Sequence, residues 1–243
     1  MDKRISAILA ACVTAVLVVA NPAGSAAGPI ADFENALRVA YGDYRNALFA
    51  SNTNNRDATI KAIAGFESKW TALVAKYGRK PPPHFGEDGK WTESLRMITD
   101  IVARAKSQVA TGDLAAAHET LETIRDVLGS LRARNGQLSF SDRIDAFHHA
   151  MEQVLTKNYA GYSGTGLTEL IEDVAVLAYL GNELKKMPPP DALKSADFTP
   201  TLDGVLDAVR ELRSAARAGD VARIKSGLSR IKPAFAKLFV KFG

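Results

Sequence analysis

The sequence predicts an all-α protein made of two tandem antiparallel four-helix bundles, and three observations carry that expectation. Apolar residues recur at steps of three and four, the spacing of one face of an amphipathic helix. The 243-residue chain is 47% hydrophobic and 24% charged but only 7% aromatic, with Ala, Leu and Val plentiful. Such a composition favours helices over a β-sandwich and excludes wholesale disorder or a collagen-like repeat. Finally, the chain matches itself at a constant offset of 107 residues.

At that offset Trp91–Gly136 aligns with Phe198–Gly243 without a gap, and twelve of the 46 pairs are identical. Chance agreement at ordinary composition is about three or four. The same shift lays Pro81–Pro83 on Pro188–Pro190 and Phe33 on Phe140. Shared Gly-Asp and Pro-Pro-Pro punctuation argues for a tandem duplication.

The elements follow in order. Phe33, Leu37, Ala40, Tyr44 and Leu48 form the first stripe, and Ile63, Phe66, Trp70, Leu73 and Tyr77 the second. After a Pro-rich crossover come Leu95, Ile98, Val102, Ala105 and Val109, then Leu114 through Leu131. Gly112 fits a helix C-cap and Asp113 the cap of the next helix. The second half repeats the plan with Phe140, Ile144, Phe147, Met151 and Leu155, followed by a helix from about 168 to 186. Gly161–Gly166 reads as a flexible connector between them. Leu202, Val205, Val209, Leu212 and Ala216 make the third stripe. Val221, Ile224, Leu228, Ile231, Phe235 and Leu238 make the fourth, with Gly219 and Asp220 between them. The expected bundles span residues 28–136 and 140–243.

The first 27 residues read as a secretory signal peptide: Lys3 and Arg4, an apolar run from Ile5 to Ala20, then small residues with cleavage after Ala26 or Ala27. At 16 residues the run is short of the ~20 needed to span a bilayer. An uncleaved anchor, or a lipoprotein processed at Leu9-Ala10-Ala11-Cys12, are the alternatives. Export places the protein in the periplasm or outside the cell, off the membrane once the signal is removed. It also removes Cys12, the single cysteine. Thiol catalysis, disulfides, thiolate metal sites and covalent c-type haem are then excluded. The net charge of +4 is spread among mixed charges on every segment, which argues against a nucleic-acid partner.

Export, half-length near 105 residues, a Pro-Pro segment before the third helix and a Gly-Asp-hydrophobic start to the fourth resemble cytochrome b-562, of the wider cytochrome c-prime superfamily. The stretch Pro188–Gly243 carries the resemblance best, from Gly219-Asp220-Val221 to Lys237-Leu238-Phe239-Val240-Lys241-Phe242. It implies a noncovalent haem held by a Met near the start of helix one and a His in the last turn of helix four. The positions here are Leu37 and Arg132 in the first half and Ile144 and Phe239 in the second. None ligates iron, so haem and electron transfer are not expected to carry over.

Four histidines occur, His84, His118, His148 and His149. His148, Met151 and Glu152 share one side of a helix, with His149 beside them, and imidazole with thioether or carboxylate suits a copper or iron ion. His-x-x-Glu also occurs in periplasmic imelysin-like iron-uptake proteins, which duplicate helical bundles. The plainer reading is structural: Met151 as core packing, His148 paired with Glu152, His149 in solvent. Closing a site would call on Glu172 or Asp173, or on a second molecule. His118 reads as a surface residue and His84 as part of an exposed crossover. No nucleophile elbow or phosphate loop is present. The expectation is a non-catalytic exported binding or accessory protein without haem, with a metal ion at His148, His149, Met151 and Glu152 or a periplasmic protein as partner. The alternatives are a b-type haem protein with unconventional ligands, or a structural partner-binding module.

Overall fold

The computed structural model describes residues 28–243, so the signal segment and Cys12 lie outside the described residues. Eight α-helices form: α1 (Pro29–Asn52), α2 (Arg56–Tyr77), α3 (Trp91–Ala110), α4 (Leu114–Arg134), α5 (Phe140–Thr156), α6 (Gly164–Glu183), α7 (Phe198–Ala218) and α8 (Val221–Phe242). Among the described residues there is no strand.

The helix starts have local causes. Proline occupies the first turn of α1, where its missing N–H costs nothing. Side chains of Asn55, Asp113 and Asp220 accept from main-chain N–H groups of Ala58, Ala116 and Arg223, capping α2, α4 and α8. Ser139 and Asp142 form a reciprocal capping box on α5. Gly219 closes α7 in the left-handed conformation, φ 62°, which favours glycine. Helices α3 and α7, starting at Trp91 and Phe198, are 107 residues apart, as are α4 and α8, starting at Leu114 and Val221.

Packing follows chain order. Helix α1 packs on α2 and α4, and α3 on α2 and α4, closing one ring of four; α5 through α8 close a second in the same way. Cross-helix partners fix the antiparallel sense. Asp43 pairs with Lys69, Glu67 with Lys106, and the Tyr44 hydroxyl donates to the Leu121 carbonyl at 3.0 Å. In the second ring Arg143 meets Glu183, Lys157 meets Asp173, and Arg230 meets Glu211.

The apolar stripes form the core, with two departures. Val154, not Leu155, is buried in α5. In α8, Val221 is 39% exposed and Leu228 half-buried, because Gly227 takes the inward position. A Cβ at 227 would stand 3.2 Å from the Leu212 Cα, so α7 and α8 approach backbone to side chain there. Helix α6 begins at Gly164 and ends at Glu183, each a few residues earlier than the stripe suggests. The segment before it is a built turn, not a loose connector: Ala160, Gly161, Tyr162 and Gly164 all hold positive φ. The two rings meet along a seam in which α1 faces α8 and α4 faces α5.

Candidate functional site: the seam between the rings

Charged side chains that would be surface groups on either ring alone are buried at the seam. Arg132, near the end of α4, donates from Nε and Nη2 to the Asp142 carboxylate of α5 at 2.6–2.9 Å. One turn and more earlier, Arg125 pairs with Glu122 at 2.7 Å and approaches Asp145 of α5 at 3.4 Å. Its guanidinium also lies 5.9 Å from the Phe239 ring of α8, within cation–π range. Asp145 is the odd member. Both arginines are committed to other carboxylates, and its buried Oδ1 accepts no hydrogen bond. Burial therefore outweighs the two cations and raises its pKa to about 7.

A cavity of about 480 Å³ opens at one end of the seam. Leu37, Tyr41 and Arg45 of α1 line it with Arg132, the linker Leu138–Ser141, the Pro188–Pro190 crossover and Phe242. A second, of about 350 Å³, opens at the other end, lined by His118 and Glu122 of α4 and by His148, Met151 and Glu152 of α5, with Lys232 and Phe239 of α8.

The second cavity holds most of the residues singled out from the sequence. His148 and Glu152 come together at 3.6 Å, but this contact is not a salt bridge at neutral pH. Burial, helped by Arg125 and His149, lowers the His148 pKa to about 3 and keeps the ring neutral. The ring stacks on Phe235 with centroids 5.3 Å apart, and its Nδ1 is buried without a hydrogen-bond partner. Met151 is fully buried in the core. His149 is exposed and outside the cavity lining. Glu152 pairs with Lys232 at 3.0 Å. The groups facing His148 across the cavity come from the first half, not from Glu172 or Asp173; Asp173 is held by Lys157 and the Tyr159 hydroxyl. Among the described residues no three His, Cys, Asp or Glu side chains gather as a metal ion would need.

Two histidine expectations need correction. His118 is not a free surface residue: its Nδ1 sits 3.0 Å from the Ser51 hydroxyl, burial lowers its pKa, and it faces the seam. His84 is not exposed either. Its side chain is 9% accessible, packed 4.1 Å from the Phe85 ring, with Nε2 2.9 Å from a Glu34 carboxylate oxygen.

The positions where the cytochrome resemblance would place haem ligands do not fit that group. Leu37, Ile144 and Phe239 are buried apolar side chains, and Arg132 is bound to Asp142. Sequence reasoning missed Tyr41, Arg125, Asp142 and Asp145 as parts of a site. They flank the stripes rather than break them, and only the pairing of faces brings them together. No helix among the described residues is long and apolar enough to cross a membrane. No protein-family model, no curated protein and no solved structure matches this chain.

Proposed function

We propose that this protein is a non-catalytic, exported binding or accessory protein of cytochrome b-562-like ancestry, duplicated in tandem and without haem, whose ligand occupies the seam between the two rings. One observation carries the reading: both ends of the seam open into cavities lined jointly by the two halves. A ligand there touches both rings at once, so binding strengthens their association. The helix starts repeating at 107 residues support the duplication. The apolar and ion-paired side chains at the four ligand positions support the loss of haem.

The test is a thermal-shift panel on the purified full chain, with small anions, cations, neutral amphiphiles, copper and iron salts and haem. At least one small organic class is expected to raise Tm by several degrees. Ser141→Trp, which fills the larger cavity from its wall, or His148→Trp in the smaller one, is expected to abolish the shift. A silent panel overturns the reading and favours a partner-binding module. A Soret band on adding haem overturns the loss of haem.

A copper or iron ion bound at His148 is the second reading, and the unpartnered Nδ1 of a neutral imidazole favours it. Arg125 and Lys232 oppose a cation in the same cavity. Titration of wild type against His148→Ala and Met151→Ala decides: unchanged metal binding in both variants removes the site.

A further inference from the structure

The larger cavity contains a cation without a counter-charge. Among the cations in its wall, Arg38 meets Asp191 at 3.4 Å, Arg132 meets Asp142 at 2.6 Å and Lys241 meets Asp197 at 2.8 Å. Among the described residues Arg45 meets no carboxylate. It donates to the main-chain oxygens of Lys241 and Gly243. Its Nε is buried without a partner. One helical turn earlier, Tyr41 is 5% exposed, and its hydroxyl is likewise buried and unpartnered. Burial raises the Tyr41 pKa well above its ordinary value, so the hydroxyl remains a donor at any physiological pH. Tyr41 and Arg45 are four residues apart on α1 and so share a face.

Two unused donors and one uncompensated positive charge define what fits between them. Buried polar groups of this kind are costly unless an acceptor reaches them. A neutral ligand would leave the guanidinium charge unbalanced, and an amine would add to it. A carboxylate brings one negative charge and two acceptor oxygens. The rest of the wall is apolar, with Leu37, Phe140 and Phe242 facing the space. Its volume of about 480 Å³ lies in the range of small-molecule sites.

We infer that this cavity binds a small monocarboxylate with an apolar body, its oxygens accepting from the Tyr41 hydroxyl and the Arg45 Nε–H. The inference rests on the reading of the seam as the ligand site and assigns its ligand class. Calorimetric titration of the full chain with octanoate, 1-octanol and octylamine tests it. Octanoate is expected to saturate at one site, with octanol and octylamine at least about tenfold weaker. Arg45→Gln is expected to weaken octanoate about tenfold and Tyr41→Phe about three- to fivefold, with circular dichroism showing both variants folded. If Arg45→Gln does not fold, the near-isosteric Tyr41→Phe and the comparison of octanoate with octanol in wild type still decide. Octanol binding as tightly as octanoate, or octanoate affinity unchanged in the variants, overturns the inference. No octanoate binding overturns it too. If another compound then still shifts Tm in a Ser141-dependent way, the seam reading survives alone; if none does, both fall.

Discussion

At the scale of single residues, the seam holds two titratable groups on α5 whose effects on stability run in opposite directions with pH. His148 has a pKa of about 3 when folded, against an ordinary value of 6.5. Between those pH values the unfolded chain binds more protons, so stability is lost as pH falls below about 6.5. At pH 5 the loss is about 2 kcal/mol. His148→Phe keeps the stack on Phe235 without the titration, and urea unfolding at pH 5 should find it more stable than wild type, with little difference at pH 8. Asp145 runs the other way. Its pKa is about 7 when folded against an ordinary 3.8, so its favourable protonated form is present at low pH and lost as pH rises towards 7. Asp145→Asn should raise stability at pH 8 by about 2 kcal/mol and change little at pH 4. A gain equal at both pH values would mean that the carboxyl is ionised throughout.

At the scale of elements, glycine substitution should show where a helix is held closely and where it is not. In α8, Gly227→Ala pushes a methyl against Leu212, and equilibrium unfolding should show a loss of about 1–3 kcal/mol. In α7, Gly204→Ala meets nothing within 4 Å on an exposed face and should gain about 0.5–1 kcal/mol. The same two glycines explain what was legible beforehand. Stripes of Leu, Ile, Val and Phe revealed all eight helices, because burial of a repeated apolar face is written directly into residue order. The inward face of α8 was misplaced by one residue at 227/228, since a glycine there contributes closeness rather than apolar area. The Gly161–Gly166 turn was misread for a related reason: its shape rests on left-handed backbone at Ala160 and Tyr162, residues that do not advertise it. The candidate site was less legible still. His118 flanks its stripe as Lys225 does in the other half, and nothing local says that one of the two faces a second ring.

At the scale of the whole molecule, the rings are joined by buried charge as well as by apolar contact. Arg132 and Asp142, both largely buried, hold α4 to α5 across the three-residue link Gln137–Ser139. Arg132→Met leaves the Asp142 carboxylate without its partner while Ser139 continues to bond it. A loss of about 2–4 kcal/mol is expected. Scanning calorimetry should show the single wild-type transition broadening or splitting as the rings melt apart. A sharp single transition at unchanged Tm would mean that the pair contributes nothing to their association.

The order in which helices pack also has a consequence in time. Each helix leans mainly on its neighbours along the chain, so most of the structure forms through short loops that close quickly. The seam is different, because α1 must wait for α8, the last helix to be made. During synthesis the first ring is therefore complete while its α1–α4 face is still bare. For that interval Arg125 and Arg132 are solvated surface charges, and they become interior ones only when the final helix arrives.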